Sequence, residues 1–254
     1  MTDQVKEAIR EITRTVRDSA LLLSVVAGPD ERDRNSLPAS DVDFSPIDAM
    51  DFQGLRAAWC PAFNKVPVER AVLEQCAAAV RQYQKAGLQV DEIAIDLPDF
   101  ADTLRTLFYG TFGAQLVDAL PKWRSRMDPG LVGMVEEGRK LSAYDLTKAN
   151  MARAAFCDAL RKTFDRYELL LLPVAATPAP RLGSGVPGLE FLYPFNLSGQ
   201  PAASIPCGWT DDGLPIGLQM VGRRFRDARL LQAAAAFEQI RPWADRTPAF
   251  SAAR

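Results

Sequence analysis

Residues 193–248 read YPFNLSGQPAASIPCGWTDDGLPIGLQMVGRRFRDARLLQAAAAFEQIRPWADRTP. Within them, the runs Ala202 to Pro206 and Ile216 to Val221 flank Asp211-Asp212-Gly213. Asp-Gly tolerates the backbone of a tight reversal, so this stretch predicts a β-hairpin. Asp227 to Ile240 then predicts a closing helix, with Leu230, Ala234 and Phe237 on its inner face. Upstream, Leu169 to Leu172 is a short, wholly apolar run ahead of Pro173, as a strand buried on both faces requires. Four prolines (Pro173, Pro178, Pro180, Pro187) and three glycines between Gly183 and Gly188 make 173–193 a long irregular loop.

Further out, Leu55 to Cys60 predicts a strand. Pro67 suits a first helical turn, and Val68, Val72, Cys76, Val80 and Tyr83 share one helical face. Gly87 ends that helix, and Leu88, Val90, Ile93 and Ile95 predict a second strand. Strand, helix, strand over this length is the pattern of a right-handed parallel crossover. Asp99 to Leu120 predicts a helix with Leu104, Phe108, Phe112 and Leu116 on one side. Ser142 and Asp145 have the spacing of a capping box ahead of a helix running to about Tyr167. At the start, Val5, Ile9, Ile12, Val16, Ala20 and Leu23 form one amphipathic stripe, stopped at Gly28-Pro29. The Asp-, Ser- and Pro-rich stretch 30–51 is a second long loop. The expected fold is α/β, a mixed β-sheet flanked by helices, in a single domain over 1–254.

Composition narrows the chemistry. Lys plus Arg is 30 and Asp plus Glu is 32, a net charge of −2, which offers no basic excess for nucleic acid. The 254 residues contain no histidine, which removes Ser-His-Asp and Cys-His catalysis and His-based metal sites together. Proton transfer falls to Lys, Asp, Glu, Tyr or Cys. Cys60, Cys76, Cys157 and Cys207 are too scattered for a Cys-x-x-Cys pair and read as reduced core residues of a cytoplasmic protein. The apolar run Ala20 to Ala27 is broken by Ser24 and too short for a membrane span, and the charged N-terminus lacks a targeting pattern. No cofactor motif and no metal-ligand cluster is read.

The stretch from Tyr193 to Pro248 resembles the C-terminal part of the amidase signature family. Three pieces carry the resemblance in order: Asn196-Leu-Ser198-Gly199-Gln200-Pro201, Gly213-Leu-Pro-Ile-Gly217-Leu-Gln219, and Phe237-Glu238 followed by Pro242-Trp243. It extends upstream through Tyr167 to Pro173 and through Thr13 to Asp33, where Thr13-Arg14-Thr15-Val16-Arg17-Asp18-Ser19 begins the similarity. The resemblance implies hydrolysis of carbon–nitrogen amide bonds. It also implies a Ser nucleophile, a second Ser with a cis peptide bond and a Lys that takes the nucleophile's proton through that second Ser. In the family those three residues lie in Gly/Ser-rich segments upstream of the matching point. The first twelve residues, MTDQVKEAIREI, hold neither Gly nor Ser. The expected fold is therefore an incomplete amidase-signature fold, with at least one unfinished sheet edge and no catalytic residue assigned here.

The resemblance places one loop near the substrate pocket and makes Phe195, Asn196, Ser198, Gly199 and Gln200 the candidate substrate-binding residues. Other constellations have plainer readings: Gly183-Ser184-Gly185 as a surface loop, Lys140 and Ser142 as a solvated lysine beside a cap, Asp211-Asp212 as a turn, and Arg223, Arg224, Arg226 and Arg229 as a solvated strand-to-helix junction. Four readings of function follow. The chain is the C-terminal half of an amidase, inactive alone; or it is a subunit of a two-chain amidase or amidotransferase, completed by a separate N-terminal polypeptide. Alternatively it is a non-catalytic binding or regulatory protein that reuses the fold and binds an amide without cleaving it; or a misassigned start codon or a frameshift separates it from the rest of its gene. The expected partners are a small amide substrate or ligand and either a complementary N-terminal amidase polypeptide or further copies of the chain in a homo-oligomer. Neither a nucleic acid nor a membrane is an expected partner.

Overall fold

The computed structural model describes residues 12–33, 36–37, 44–181, 183–184 and 190–246. They fall into two compact units, one formed by 1–95 with 164–254 and the other by 96–163, where the sequence reading draws a single domain. In chain order the helices are α1 (Val16–Val26), α2 (Arg70–Lys85), α3 (Ala101–Leu116), α4 (Leu120–Trp123), α5 (Pro129–Gly138), α6 (Ala143–Phe164), α7 (Tyr193–Ser198) and α8 (Asp227–Ile240). The strands are β1 (Arg56–Trp59), β2 (Gln89–Glu92), β3 (Leu169–Pro173), β4 (Ala202–Trp209) and β5 (Pro215–Gly222).

In the first unit, all five residues of β3 are buried, which a strand with leucines on both faces can satisfy only in mid-sheet. The strand order is β2-β1-β3-β5-β4. β1 runs parallel to both β2 and β3, and β5 runs antiparallel to both β3 and β4, so the sheet is mixed as expected. Leu171 sits between Trp59 on one side and Met220 on the other. The β4–β5 hairpin closes through Gly213 at φ 87, with the Gly213 N–H donating to the Thr210 carbonyl at 2.9 Å. Its register slips between Pro206 and Gly208, beside a proline that has no N–H for the ladder. The second strand is shorter than its apolar spacing suggests. Only Gln89–Glu92 pair as a strand, at a half-exposed edge, although the Ile93 N–H still reaches the Trp59 carbonyl.

Helices α2 and α8 cover one face of this sheet. Their inner residues Val72, Cys76, Ala79, Val80, Tyr83, Leu230, Ala233, Ala234 and Phe237 join Trp59, Leu171, Cys207, Leu218 and Met220 in one core. Tyr83 ties three elements together. Its ring stacks on Phe237 at 5.0 Å and meets Phe52 edge-on at 5.3 Å, while its hydroxyl donates to Met220 Sδ at 2.8 Å and the Ala233 carbonyl at 3.3 Å. Burial pushes that phenol well above its ordinary range, so it stays a donor.

α1 is held against α8 by residues that carry the family resemblance. Glu238 Oε2 accepts from the Val16 N–H at 3.0 Å, filling one orphan donor of the first turn. Thr15 caps the same turn by accepting from the Asp18 N–H at 3.1 Å. Arg14 donates to the Ala244 carbonyl and accepts, through its own carbonyl, from Trp243 Nε1, each at 3.0 Å. The described helix starts at Val16; the predicted stripe positions Val5 and Ile9 lie outside the described residues, and Ile12 precedes the helix. The outer face of α1 is apolar, with Val25 75% and Leu21 55% exposed.

In the second unit the predicted helix 99–120 divides into α3 and α4, and α5 follows, a helix that periodicity did not reveal. α3 and α5 touch backbone to backbone. A Cβ on Gly113 would lie 2.7 Å from the Gly138 carbonyl carbon, and one on Gly138 would overlap the Tyr109 carbonyl. Leu120, Val132 and Val135 pack there with Phe112, Leu116 and Met127. The capping box opens α6 as expected: Asp145 Oδ2 accepts from the Ser142 N–H and hydroxyl at 2.9 and 2.7 Å, and Ser142 Oγ accepts from the Asp145 N–H at 3.2 Å. Among the described residues no helix is long and apolar enough to cross a membrane.

Two outcomes follow. Gly138→Ala should cost about 2–3 kcal/mol in urea unfolding, with hydrogen exchange accelerated across 101–138. Gly133→Ala, whose Cβ would meet nothing within 4 Å, should be neutral or stabilising by up to ~1 kcal/mol; equal losses at both glycines would contradict the close approach. Burial, against the opposing Val16 N–H, raises the Glu238 carboxyl above its ordinary 4.5. The fold therefore binds that proton more readily than the unfolded chain, so the Glu238 contribution is largest below 4.5 and is lost as pH rises through the raised value. The stability of the wild type minus that of Glu238→Gln should fall with rising pH over that window and then level off. A difference that grows with pH would reverse the assignment.

Candidate functional site

The candidate residues occupy one corner, the step from α7 into β4. Pro194 sits in the first turn of α7, where its missing N–H costs nothing. Gly199 ends the helix in the left-handed region, at φ 71, and its N–H donates to the Phe195 carbonyl at 2.8 Å. A side chain there would be strained whatever the space around it. Gln200, preceding Pro201, is restricted to extended backbone and so launches the strand. The Gly222 N–H closes the corner on the Pro201 carbonyl at 2.9 Å.

The five side chains divide by role. Phe195 is buried, its ring 5.8 Å from Phe63, which also meets Phe191 at 6.4 Å. Ser198 is buried, and its hydroxyl donates back to the Phe195 carbonyl of its own helix at 3.5 Å. A carbonyl accepts this hydrogen bond but is not a base that could take the proton. Asn196 and Gly199 are exposed. Gln200 is half-buried, and its Oε1 is shielded from solvent without a hydrogen-bond partner among the described residues. An amide oxygen so placed is an acceptor in search of a donor.

Gln219 is the residue that sequence reasoning left unassigned in this corner. It is buried on β5, and its Nε2 donates to the Phe191 carbonyl at 2.6 Å, tying the strand to the segment that enters α7. The signal was visible as a polar residue inside an apolar strand. Arg224 is the second neighbour: a Cβ on Gly199 would lie 3.9 Å from its Nε and Nη2 atoms, and its guanidinium stacks on the Phe225 ring at 4.8 Å.

The remaining constellations resolve locally. Lys140 Nζ pairs with Glu137 at 2.5 Å while Ser142 serves its cap, so the two are not joined as acid and base. Asp212 accepts from Thr210 in the hairpin turn. Arg223 and Arg229 both face Glu168, at 3.7 and 3.4 Å. Gly185 of Gly183-Ser184-Gly185 lies outside the described residues; Ser184 donates to the Arg181 carbonyl at 2.6 Å. No group of three or more Cys, Asp or Glu side chains suited to a metal occurs among the described residues. In the second unit an open cleft of about 420 Å³ is lined by Val117, Asp118, Leu120, Arg124, Glu136 and Arg139, with Arg124 and Glu136 paired at 2.6 Å. None of the five candidate residues lines it.

Comparison with known proteins shows the family. The family model described as Amidase matches residues 8–231. The chain is 33% identical to an acylamidase of Rhodococcus erythropolis over 94% of its own length and 54% of that protein. It is 30% identical to a glutamyl-tRNA(Gln) amidotransferase subunit of Lacticaseibacillus casei over 91% of its length and 54% of that protein. Among solved structures, a bacterial aryl acylamidase of the amidase signature family superposes with a TM-score of 0.78 at 27% identity, covering 91% of this chain and 52% of that one. The chain thus spans about half the length of the relatives it matches. With a matched model over most of its residues and the same mixed sheet beneath it, this chain belongs to the amidase family.

Proposed function

We propose that these 254 residues are the scaffold portion of an amide-hydrolysing enzyme, inactive by themselves and completed by a polypeptide segment that carries the Ser-Ser-Lys machinery. The observation that carries this reading is the state of the hydroxyls and amines present. Ser198 is spent on a carbonyl of its own helix, Ser142 on a cap, and Lys140 on Glu137. A serine attacks an amide only with an adjacent base, and a lysine becomes that base only when burial and neighbours lower its pKa. Lys140 is moved the other way: its hydrogen bond to Glu137 raises it above its ordinary value. With no histidine in the chain, no imidazole can stand in as that base.

Two surface features support completion by further polypeptide. Leu21, Leu22, Val25 and Val26 expose an apolar face on α1. β4 pairs with β5 on one side and with no strand on the other among the described residues. Both leave surface that a partner segment would cover. In this reading the α7–β4 corner forms a wall of the amide pocket. When the completing segment binds, Gln200 turns its shielded Oε1 toward the substrate N–H, Asn196 contacts the exposed side of the ligand, and Phe195, Ser198 and Gly199 fix the backbone that presents them. The glutamyl-tRNA amidotransferase relatives favour an enzyme built from several chains over a lone one.

The purified 254-residue chain should hydrolyse neither simple anilides nor primary amides above background. Co-expression with a family segment bearing Ser-Ser-Lys should yield a complex that does. In that complex Gln200→Ala should raise KM about tenfold with little change in melting temperature, the loss expected for one hydrogen bond to a substrate. Turnover by the chain alone, abolished by a single substitution within it, would overturn the proposal.

A further inference from the structure

Cys76 on α2 and Cys207 on β4 are 131 residues apart in the chain, yet their Sγ atoms lie 3.8 Å apart. Both are buried and both are free thiols. A disulfide bond is about 2.05 Å long, so closure requires an approach of roughly 1.8 Å. The surroundings permit it. The contact abuts the register slip between Pro206 and Gly208, where β4 departs from a regular ladder. One residue along, the Gly208 backbone approaches the Gln75 side chain so closely that a Cβ there would overlap it. The sulfur pair thus sits where α2 touches the backbone of β4. Among the described residues β4 is an edge strand, and an edge opens at lower cost than the sheet centre. The Cys76 thiol also reaches the Gly217 carbonyl at 3.6 Å, which keeps its proton occupied while the strand is closed.

We propose that Cys76 and Cys207 form an oxidisable dithiol, converted by a hydroperoxide to a disulfide that staples β4 to α2. One thiolate attacks the peroxide, the O–O bond breaks, and a sulfenic acid and water or alcohol result. The second thiolate then attacks that sulfur, the S–O bond breaks, and water leaves as the S–S bond forms. Two thiols are oxidised and one hydroperoxide is reduced. The hydrogen bond between the two sulfurs, with burial, holds the Cys76 thiol above its ordinary range, so reaction waits on opening of the edge and quickens with pH. β4 is launched from Gly199-Gln200-Pro201, so the staple fixes the strand that carries the candidate corner. The remaining thiols are placed elsewhere: Cys60 is buried just after β1, and Cys157 is half-buried on α6.

The test treats the full chain with hydrogen peroxide at mildly alkaline pH, with and without sub-denaturing urea. Alkylation and peptide mapping without reductant follow. The expected product is one cross-linked peptide pair through Cys76 and Cys207, formed faster in urea, retained in Cys157→Ser and lost on reduction. Because the bridge closes a long loop, the melting temperature should rise by roughly 5–10 °C. Alkyl label on both Cys76 and Cys207 after Cys60 or Cys157 has been oxidised would overturn the proposal. So would a Cys76–Cys207 bridge that lowers the melting temperature.

Discussion

The burial of Leu169 to Leu172 between two differently oriented neighbours is the constraint on which the first unit depends. β3 pairs parallel with β1 and antiparallel with β5, so it is the point at which the sheet changes sense. Four leucines with both faces covered remove a large apolar area from water, at about 25 cal/mol per Å². They also fix register, since a slip of one residue would exchange the faces. Leu171 points into the core that Tyr83 anchors, which is how one strand sets the positions of α2, β5 and α8 at once.

That arrangement explains why the family resemblance falls where it does. Glu238, Arg14 and Trp243 bond α1 to the end of α8 and to the segment beyond it. Gly199 and Pro201 turn the chain from α7 into β4, and Gln219 holds the entry to α7. The motif residues described here are devices of the scaffold: caps, a left-handed turn and a buried amide. Gln200 keeps an amide oxygen without a partner among the described residues, and Asn196 is exposed. In the proposed reading such a scaffold shapes the cavity, and the completing segment supplies the proton transfers.

Much of this was legible in the sequence, for identifiable reasons. The leucine run, the Asp211-Asp212-Gly213 turn and the Leu230, Ala234, Phe237 stripe are strong local signals, and each element forms where the pattern puts it. α7 was not legible because its six residues, Tyr193–Ser198, are too few to show a helical period. α5 escaped because Gly130, Gly133 and Gly138 interrupt its pattern, and Gly138 is there for α3 to approach. Contacts across long sequence separations were out of reach in principle. No spacing rule pairs Cys76 with Cys207 or Glu238 with the Val16 N–H. Of the candidate corner, the resemblance supplied the residues, and their division into buried supports and one unsatisfied acceptor required the fold.

The proposal of an inactive scaffold requires that no serine of this chain be activated. The most direct measurement is labelling of the purified chain with a fluorophosphonate probe, which reacts only with a serine that a base has made nucleophilic. Intact-mass spectrometry should detect no adduct after prolonged exposure. Stoichiometric labelling of a single serine, blocked by an amide ligand, would contradict the account.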